Sequence, residues 1–342
     1  MLDDSNFINK TDKSDALGLA SLNAEQLKYE YNLTILGSRS EVDNIVVSGM
    51  GGSALGALFI KSWLDLDIPF EIVRDYSLPS YVNERTLVIV SSFSGNTEET
   101  LSCLDRAEQN NAKVVCVAGG GQLEERASSA GHTFVKLPEC PQPRFAAFYS
   151  FKAMVAILVA FGVVDGGKLT EITETSSFLS DEIKKITQDV PTAQNPAKQL
   201  AQEIIGKSPV IYAGSLMAGP AYKWKISFNE NAKNVAWYGV YPEFNHNEFI
   251  GWSSHPKDKP YVVIDLRSSF DHEQVKKRFE ISDRLLSGQR PKANVVEIVG
   301  SSRLQQLVWA VTFGDFVSLY VAILNEVDPS PVALVEQMKK EL

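Results

Sequence analysis

With 342 residues, 44% of them hydrophobic and 22% charged, the chain has the composition of a folded globular protein and the length of about two domains of roughly 150 residues, which excludes a disordered or low-complexity polymer. A net charge of −9 repels a phosphodiester backbone over most of the surface, so nucleic acid is not an expected partner and an anionic ligand must be held by local donors. No apolar run is read as reaching the roughly 20 residues of a bilayer span; the nearest, Phe151 to Val164, is broken by Lys152, and no membrane is expected as a partner.

The start, Met1-Leu2-Asp3-Asp4, is acidic and lacks the basic and apolar regions of a secretory signal, and Cys103, Cys116 and Cys140 form no CxxC pair. Both point to a cytoplasmic protein with reduced, buried cysteines. The first 40 residues read as a helical arm. Strand-sized β-branched runs follow at Asn44 to Val47, Phe70 to Val73, Thr86 to Val90, Lys113 to Val117 and Thr133 to Leu137. Helical patterns at Ser53 to Leu64, Thr97 to Gln109 and Gln122 to Ala130 separate them, which predicts a parallel sheet covered by helices on both faces. A helical stretch runs from about Phe145 through Val164 and then from Thr170 to Thr187, and the prolines of Pro191-Thr192-Ala193-Gln194-Asn195-Pro196 mark a boundary.

The second half repeats the rhythm: strand Pro209 to Ala213, helix Ser215 to Asn231, strands Asn234 to Tyr238 and Tyr261 to Asp265, helix Asp271 to Leu286, and strand Asn294 to Val299. A strong helix from Leu304 to Leu324 and a final one from Val332 to Leu342 complete it. The expected fold is therefore α/β with two tandem domains: an arm over 1–40, a first domain over 41–165, a helical linker over 166–195 and a second domain over 196–342.

Ser91-Ser92-Phe93-Ser94-Gly95-Asn96-Thr97 joins an apolar strand to a helix and gathers hydroxyls and backbone N–H groups at a helix N-terminus, a setting that suits phosphate. Ser53, after the turn Gly49-Met50-Gly51-Gly52, opens the helix of the neighbouring strand and could converge on the same anion. Ordinary N-capping by Ser53 and Thr97 is the alternative. Where the second half should repeat the loop it reads Asp265-Leu266-Arg267-Ser268-Ser269-Phe270-Asp271, so the phosphate site is expected once per chain. The glycine turn with Asp75 also fits a dinucleotide fingerprint loosely, which keeps a nicotinamide-dependent dehydrogenase open.

Arg144, after Pro141-Gln142-Pro143, opposes the dipole of the helix it precedes, so an anion-facing role competes with a surface ion pair. Glu230 ends a helix in Phe228-Asn229-Glu230-Asn231-Ala232-Lys233, where flanking asparagines could orient a carboxylate; a solvated helix end is the alternative. His246 lies in the loop Pro242-Glu243-Phe244-Asn245-His246-Asn247-Glu248. The four histidines show no HxxxH or HxH spacing, so the chemistry is expected to need neither a metal nor a cofactor.

Gly51-Gly52-Ser53, Ser92 to Thr97, Pro143-Arg144, the Asn-Glu-Asn-Ala-Lys segment at 229–233, His246-Asn247 and Asp328-Pro329-Ser330-Pro331 with Lys339 resemble the bifunctional phosphoglucose/phosphomannose isomerases, through nearly the whole chain and in order. That resemblance implies two sugar-isomerase (SIS) domains and a hexose 6-phosphate substrate. It implies that Gly51, Gly52, Ser53, Ser92, Ser94 and Thr97 hold the phosphate. Glu230 would move the proton between C2 and C1 through a cis-enediolate, Arg144 would stabilise the enediolate oxygens, and His246 and Lys339 would assist ring opening. It further implies a homodimer in which the histidine comes from the neighbouring subunit. Lys339 is preferred to Lys340 because Leu334, Val335 and Met338 are expected to form the buried stripe of the last helix. A sensor that binds sugar phosphate without turning it over is the remaining rival.

Overall fold

The computed structural model describes residues 1–341, apart from the side chain of Lys340. It divides into two compact units, Asn23–Ser177 and the residues from Phe178 onward together with Met1–Leu22. The N-terminal segment of the latter holds α1 (Ser5–Thr11) and α2 (Ala16–Ser21), whose caps are aspartates: Asp4 accepts from the Asn6 amide and Asp15 from the Gly18 amide.

The Asn23–Ser177 unit runs α3 (Asn23–Gln26), β1 (Asn44–Ser48), α4 (Leu55–Trp63), β2 (Phe70–Val73), β3 (Thr86–Ser91), α5 (Glu98–Gln109), β4 (Lys113–Ala118), α6 (Gln122–Ala130), β5 (Thr133–Lys136) and α7 (Ala147–Ala160); α8 (Gly167–Ile183) crosses its boundary. All five strands are parallel, in the order β2-β1-β3-β4-β5. β1, β3 and β4 are buried almost throughout, which is why each reads as an unbroken apolar run rather than an alternating one. α7 packs on α4, with the Phe151 ring against Phe59 and Trp63 at 6.1 and 5.6 Å. Burial of each such ring contributes about 1.5–3 kcal/mol. Lys152, the polar break in α7, donates to the Leu27 carbonyl (2.6 Å) and the Thr173 hydroxyl (2.7 Å), and its burial lowers its pKa.

In the other unit, α9 (Pro196–Ile204) leads to β6 (Ser208–Ala213), α10 (Ala218–Glu230), β7 (Trp237–Val240), α11 (Glu248–Gly251), β8 (Tyr261–Arg267), α12 (Glu273–Leu285), β9 (Asn294–Glu297), α13 (Arg303–Leu324) and α14 (Ala333–Glu341). The parallel order β7-β6-β8-β9 repeats β2-β1-β3-β4, the expected internal duplication less its fifth strand.

Three expectations are corrected. β7 starts at Trp237 rather than Asn234, because Lys233 turns left-handed (φ +51°) and the Asn234 amide bonds back to the Phe228 carbonyl (3.1 Å), prolonging the end of α10. α13 is long and apolar enough to cross a membrane, contrary to the reading that no run is, yet 94% of its apolar window is buried within the protein. The expected buried stripe of α14 faces outward, with Leu334, Val335 and Met338 exposed to 83, 44 and 55%. That removes the phase argument for Lys339, which is itself exposed. The side chain of Lys340 lies outside the described residues.

Candidate active site

Parallel register sets Ser48 beside Val90, so the turn after β1 and the loop after β3 leave the sheet at one edge. Gly51 adopts φ +49°, and a Cβ on Gly52 would come within 3.1 Å of Pro143 and the Arg144 amide, so the glycine turn passes directly against the Pro143-Arg144 segment. Gly95 in the loop has φ +70°, and a Cβ there would lie 1.8 Å from the Gly120 carbonyl oxygen. Only glycine lets the loop pack on the turn after β4. Two further bonds fix that contact, from the Gly119 amide to the Phe93 carbonyl (2.9 Å) and from the Leu123 amide to the Gly95 carbonyl (3.0 Å).

Neither hydroxyl weighed as a simple cap makes a cap bond. Ser53 Oγ accepts from the Phe93 amide at 2.9 Å, tying the first turn to the loop, while Ser91 Oγ donates to the Ser53 carbonyl at 3.0 Å. Thr97 precedes α5 without a side-chain cap bond, and its Oγ1 lies 2.7 Å from Ser92 Oγ, which is 3.5 Å from Ser94 Oγ. Three hydroxyls thus cluster at the start of a twelve-residue helix whose first amides receive no side-chain cap, where the macrodipole favours an anion. Glu98 in that first turn accepts from the Tyr76 hydroxyl at 3.1 Å. A cleft of about 720 Å³ opens beside the loop, lined by Phe93, Ser94, Gly119, Gly120, Gly121 and Cys140.

Arg144 occupies the tight turn Pro143–Phe145 ahead of α7 and is 1% exposed, which excludes a surface ion pair. Its guanidinium stacks 4.9 Å from the Phe145 ring centroid and donates to Gln142 Oε1 at 3.3 Å. Asp75, the acid of the loose dinucleotide fingerprint, accepts the neighbouring Tyr76 amide at 2.7 Å.

Glu230, half-buried, is the last residue of α10. Lys223 and Ser227, two turns and one turn earlier on the same helical face, meet Asp315 of α13: the buried Lys223 ammonium pairs with the carboxylate and donates to Ser227 Oγ (2.7 Å), and Ser227 Oγ donates to Asp315 Oδ1 (2.9 Å). Trp224 Nε1 donates to the Ala310 carbonyl (2.7 Å), and Asn231 Nδ2 to Ser318 Oγ (2.9 Å). The helices approach so closely that a Cβ on Gly314 would lie 2.2 Å from Trp224 Nε1. Sequence reading passed over Lys223 and Asp315, although Asp315 is the one charged residue between Arg303 and Glu326 and therefore a signal for a buried partner.

The asparagines beside Glu230 fasten the end of α10 to its surroundings. Asn229 Oδ1 accepts the Ala236 amide (3.0 Å), and Asn231 reaches α13 as above. Lys233 Nζ donates to the carbonyls of Glu230 (2.8 Å), Asn231 (3.4 Å) and Pro329 (3.0 Å).

His246 is exposed at the end of a short turn, Glu243–His246, that is pinned on both sides. Phe244 is buried with its ring 4.2 Å from Tyr212 and 5.1 Å from Tyr241, and Asn245 bridges Ser282 Oγ (3.1 Å) and the Arg278 guanidinium (3.0 Å) of α12. Beyond it the Tyr212 hydroxyl bonds Glu248, and Trp252 Nε1 donates to the same hydroxyl (2.9 Å). Gly51, Gly52, Ser53, Ser92, Ser94, Thr97 and Arg144 therefore belong to the Asn23–Ser177 unit, whereas Glu230, His246 and Lys339 belong to the other.

In that other unit the turn after β6 meets a carboxylate. A Cβ on Gly214 would strike Asp271 Oδ1 at 2.0 Å, and Asp271 Oδ2 accepts the Ser268 amide at 3.1 Å. Burial pushes the Asp271 carboxyl up to about 6. An internal anion thus lies where the first unit gathers hydroxyls.

Two parallel sheets of matching order, one carrying a hydroxyl-rich loop at its C-terminal edge, define a protein of two SIS domains. The SIS domain family matches residues 40–164, and the bacterial phospho-glucose isomerase C-terminal SIS domain family matches residues 193–342. A glucose-6-phosphate isomerase like protein from Thermus thermophilus shares the fold, with a TM-score of 0.68 at 18% identity over 100% of this chain and 99% of that one. The chain is 36% identical to a bifunctional phosphoglucose/phosphomannose isomerase of Caldicellulosiruptor bescii, over 93% of its own length and 96% of the relative's. It is 32% identical to that of Aquifex aeolicus, over 87 and 90%. The chain belongs to the bifunctional phosphoglucose/phosphomannose isomerase family.

Proposed function

We propose that the protein is an aldose–ketose isomerase that interconverts glucose 6-phosphate, and mannose 6-phosphate, with fructose 6-phosphate. The observation that carries the phosphate assignment is the turning of Thr97 and Ser53 away from capping, Thr97 into a hydroxyl cluster with Ser92 and Ser94 at the start of α5 and Ser53 onto the loop itself. Bound there, the phosphate anchors the inert end of the sugar, and its binding energy is used to orient C1 and C2.

Glu230 acts as the base. A glutamate is ordinarily ionised at neutral pH, and one carboxylate can take the proton from C2 of the open-chain aldose and return it at C1. Arg144 supplies fixed positive charge to the enediolate oxygens. His246 and Lys339 assist ring opening. Glucose and mannose 6-phosphate differ only at C2, which becomes planar in the enediolate, so both can converge on one intermediate. The pinned, outward-facing His246 supports a homodimer in which the histidine serves the neighbouring subunit, working in the cytoplasm.

The test is a coupled assay for fructose 6-phosphate from each aldose separately, with EDTA present. Ring opening by His246 and Lys339, carboxylate proton transfer and guanidinium charge account for every step without a metal, so turnover is expected to persist. No turnover of either sugar overturns the isomerase reading, and loss of turnover with EDTA overturns the metal-free chemistry.

A further inference from the structure

The end of α10 is built in an unusual way. Lys233 takes a left-handed backbone, φ +51°, where glycine is the residue of lowest conformational cost. What lysine gains over glycine there is its ammonium. That group bonds the carbonyl of Glu230 itself (2.8 Å), the next carbonyl, Asn231 (3.4 Å), and the carbonyl of Pro329 (3.0 Å). The first two are terminal carbonyls of the helix, which the helix cannot satisfy internally and where the dipole is negative. The third belongs to the segment between α13 and α14. Asn229 closes the other side of this helix end by accepting the Ala236 amide, and Asn231 fastens it to Ser318.

We infer that Lys233 is a positioning residue for the isomerisation: its ammonium fixes the last turn of α10, and so the carboxylate of Glu230, and ties that turn to the segment that leads into the C-terminal helix carrying Lys339. It acts through the backbone that presents the catalytic groups rather than through substrate. The inference rests on Glu230 being the base.

The left-handed backbone makes the test clean. Lys233→Gly removes the ammonium while relieving the left-handed backbone, so the relief offsets part of the lost hydrogen bonding and Tm is expected to fall by no more than a few degrees. Meanwhile kcat for glucose 6-phosphate should fall by about 10-fold or more, with KM changed less than about twofold because the phosphate loop is untouched. Lys233→Arg, which keeps a cation of similar reach, should recover a substantial part of kcat. A Lys233→Gly enzyme with wild-type kcat overturns the inference, as does a fall in kcat that Lys233→Arg does not restore while restoring Tm, which would mark a merely structural residue. Glu230→Gln assayed beside it separates the two claims: if that variant still turns over, the base assignment fails, and if it is dead while Lys233→Gly is fully active, only the positioning role fails.

Discussion

The loop after β3 and its counterpart after β8 follow matching strands of two matching sheets, yet one gathers hydroxyls and the other a carboxylate. After β3, Ser92, Ser94 and Thr97 face one another, and the helix that follows lacks a side-chain cap bond. After β8, Asp271 closes on Gly214 and on the Ser268 amide. A helix-start pocket that would draw in phosphate in one unit is filled from within by a carboxyl group in the other. The two units share a scaffold, and in the second the α10 end with Glu230 and the pinned His246 turn are the proposed seat of the proton chemistry.

That contrast can be broken in order of expected effect. Glu230→Gln should lower kcat by about 10²–10⁴-fold, the usual contribution of a positioned acid–base group, while leaving binding of a non-reacting sugar phosphate nearly intact. Asp315→Leu strands the Lys223 ammonium in the core and should cost about 3–5 kcal/mol by denaturant melts, whereas the double variant with Lys223→Met should recover most of it. Recovery would show that the single variant suffers from the stranded charge and that the pair itself is not needed for stability. Ser92→Ala removes one donor to a charged ligand, worth about 1.5–3 kcal/mol, and should raise KM about tenfold or more; Ser268→Ala in the second unit should leave KM unchanged.

The smallest effect is on stability against pH. Burial raises the folded-state pKa of Asp271 to about 6, above the ordinary value of 3.8, so the folded protein holds this proton more tightly than the unfolded chain does. Stability from this group is fully present below about pH 4 and is lost as pH rises through about 6, by up to about 3 kcal/mol. Asp265, raised to about 6 by burial beside Arg290, Asp283 and Arg267, adds in the same direction. Asp271→Asn should flatten the pH 4–6 portion of a Tm profile by the Asp271 share and leave the Asp265 share in place.

The sheet edges and the hydroxyl-rich loop after β3 are legible in the sequence because their causes are local. Buried parallel strands read as apolar runs, and Gly95 and Gly51 mark backbone that only glycine tolerates easily. The resemblance of 229–233 pointed to Glu230, yet the work of its neighbours was not legible: Asn229, Asn231 and Lys233 bind partners 7, 87 and 96 residues away. The same holds for Lys223 and Asp315, 92 residues apart and meaningful only together. The face of α14 was misjudged because an amphipathic pattern says which side is apolar, not whether anything covers it. α13 shows the converse, since a core helix and a membrane helix share a composition and only its surroundings separate them.

The central claim is that the sugar is isomerised by proton transfer through Glu230. Its most direct test is isomerisation of glucose 6-phosphate in D₂O, followed by NMR of the fructose 6-phosphate formed. Solvent deuterium at C1 in the wild-type product, together with no product from Glu230→Gln, is the predicted result. Continued turnover by the Glu230→Gln variant would contradict it, whereas substrate hydrogen retained at C1 would mean only that the carboxylate returns the proton it took.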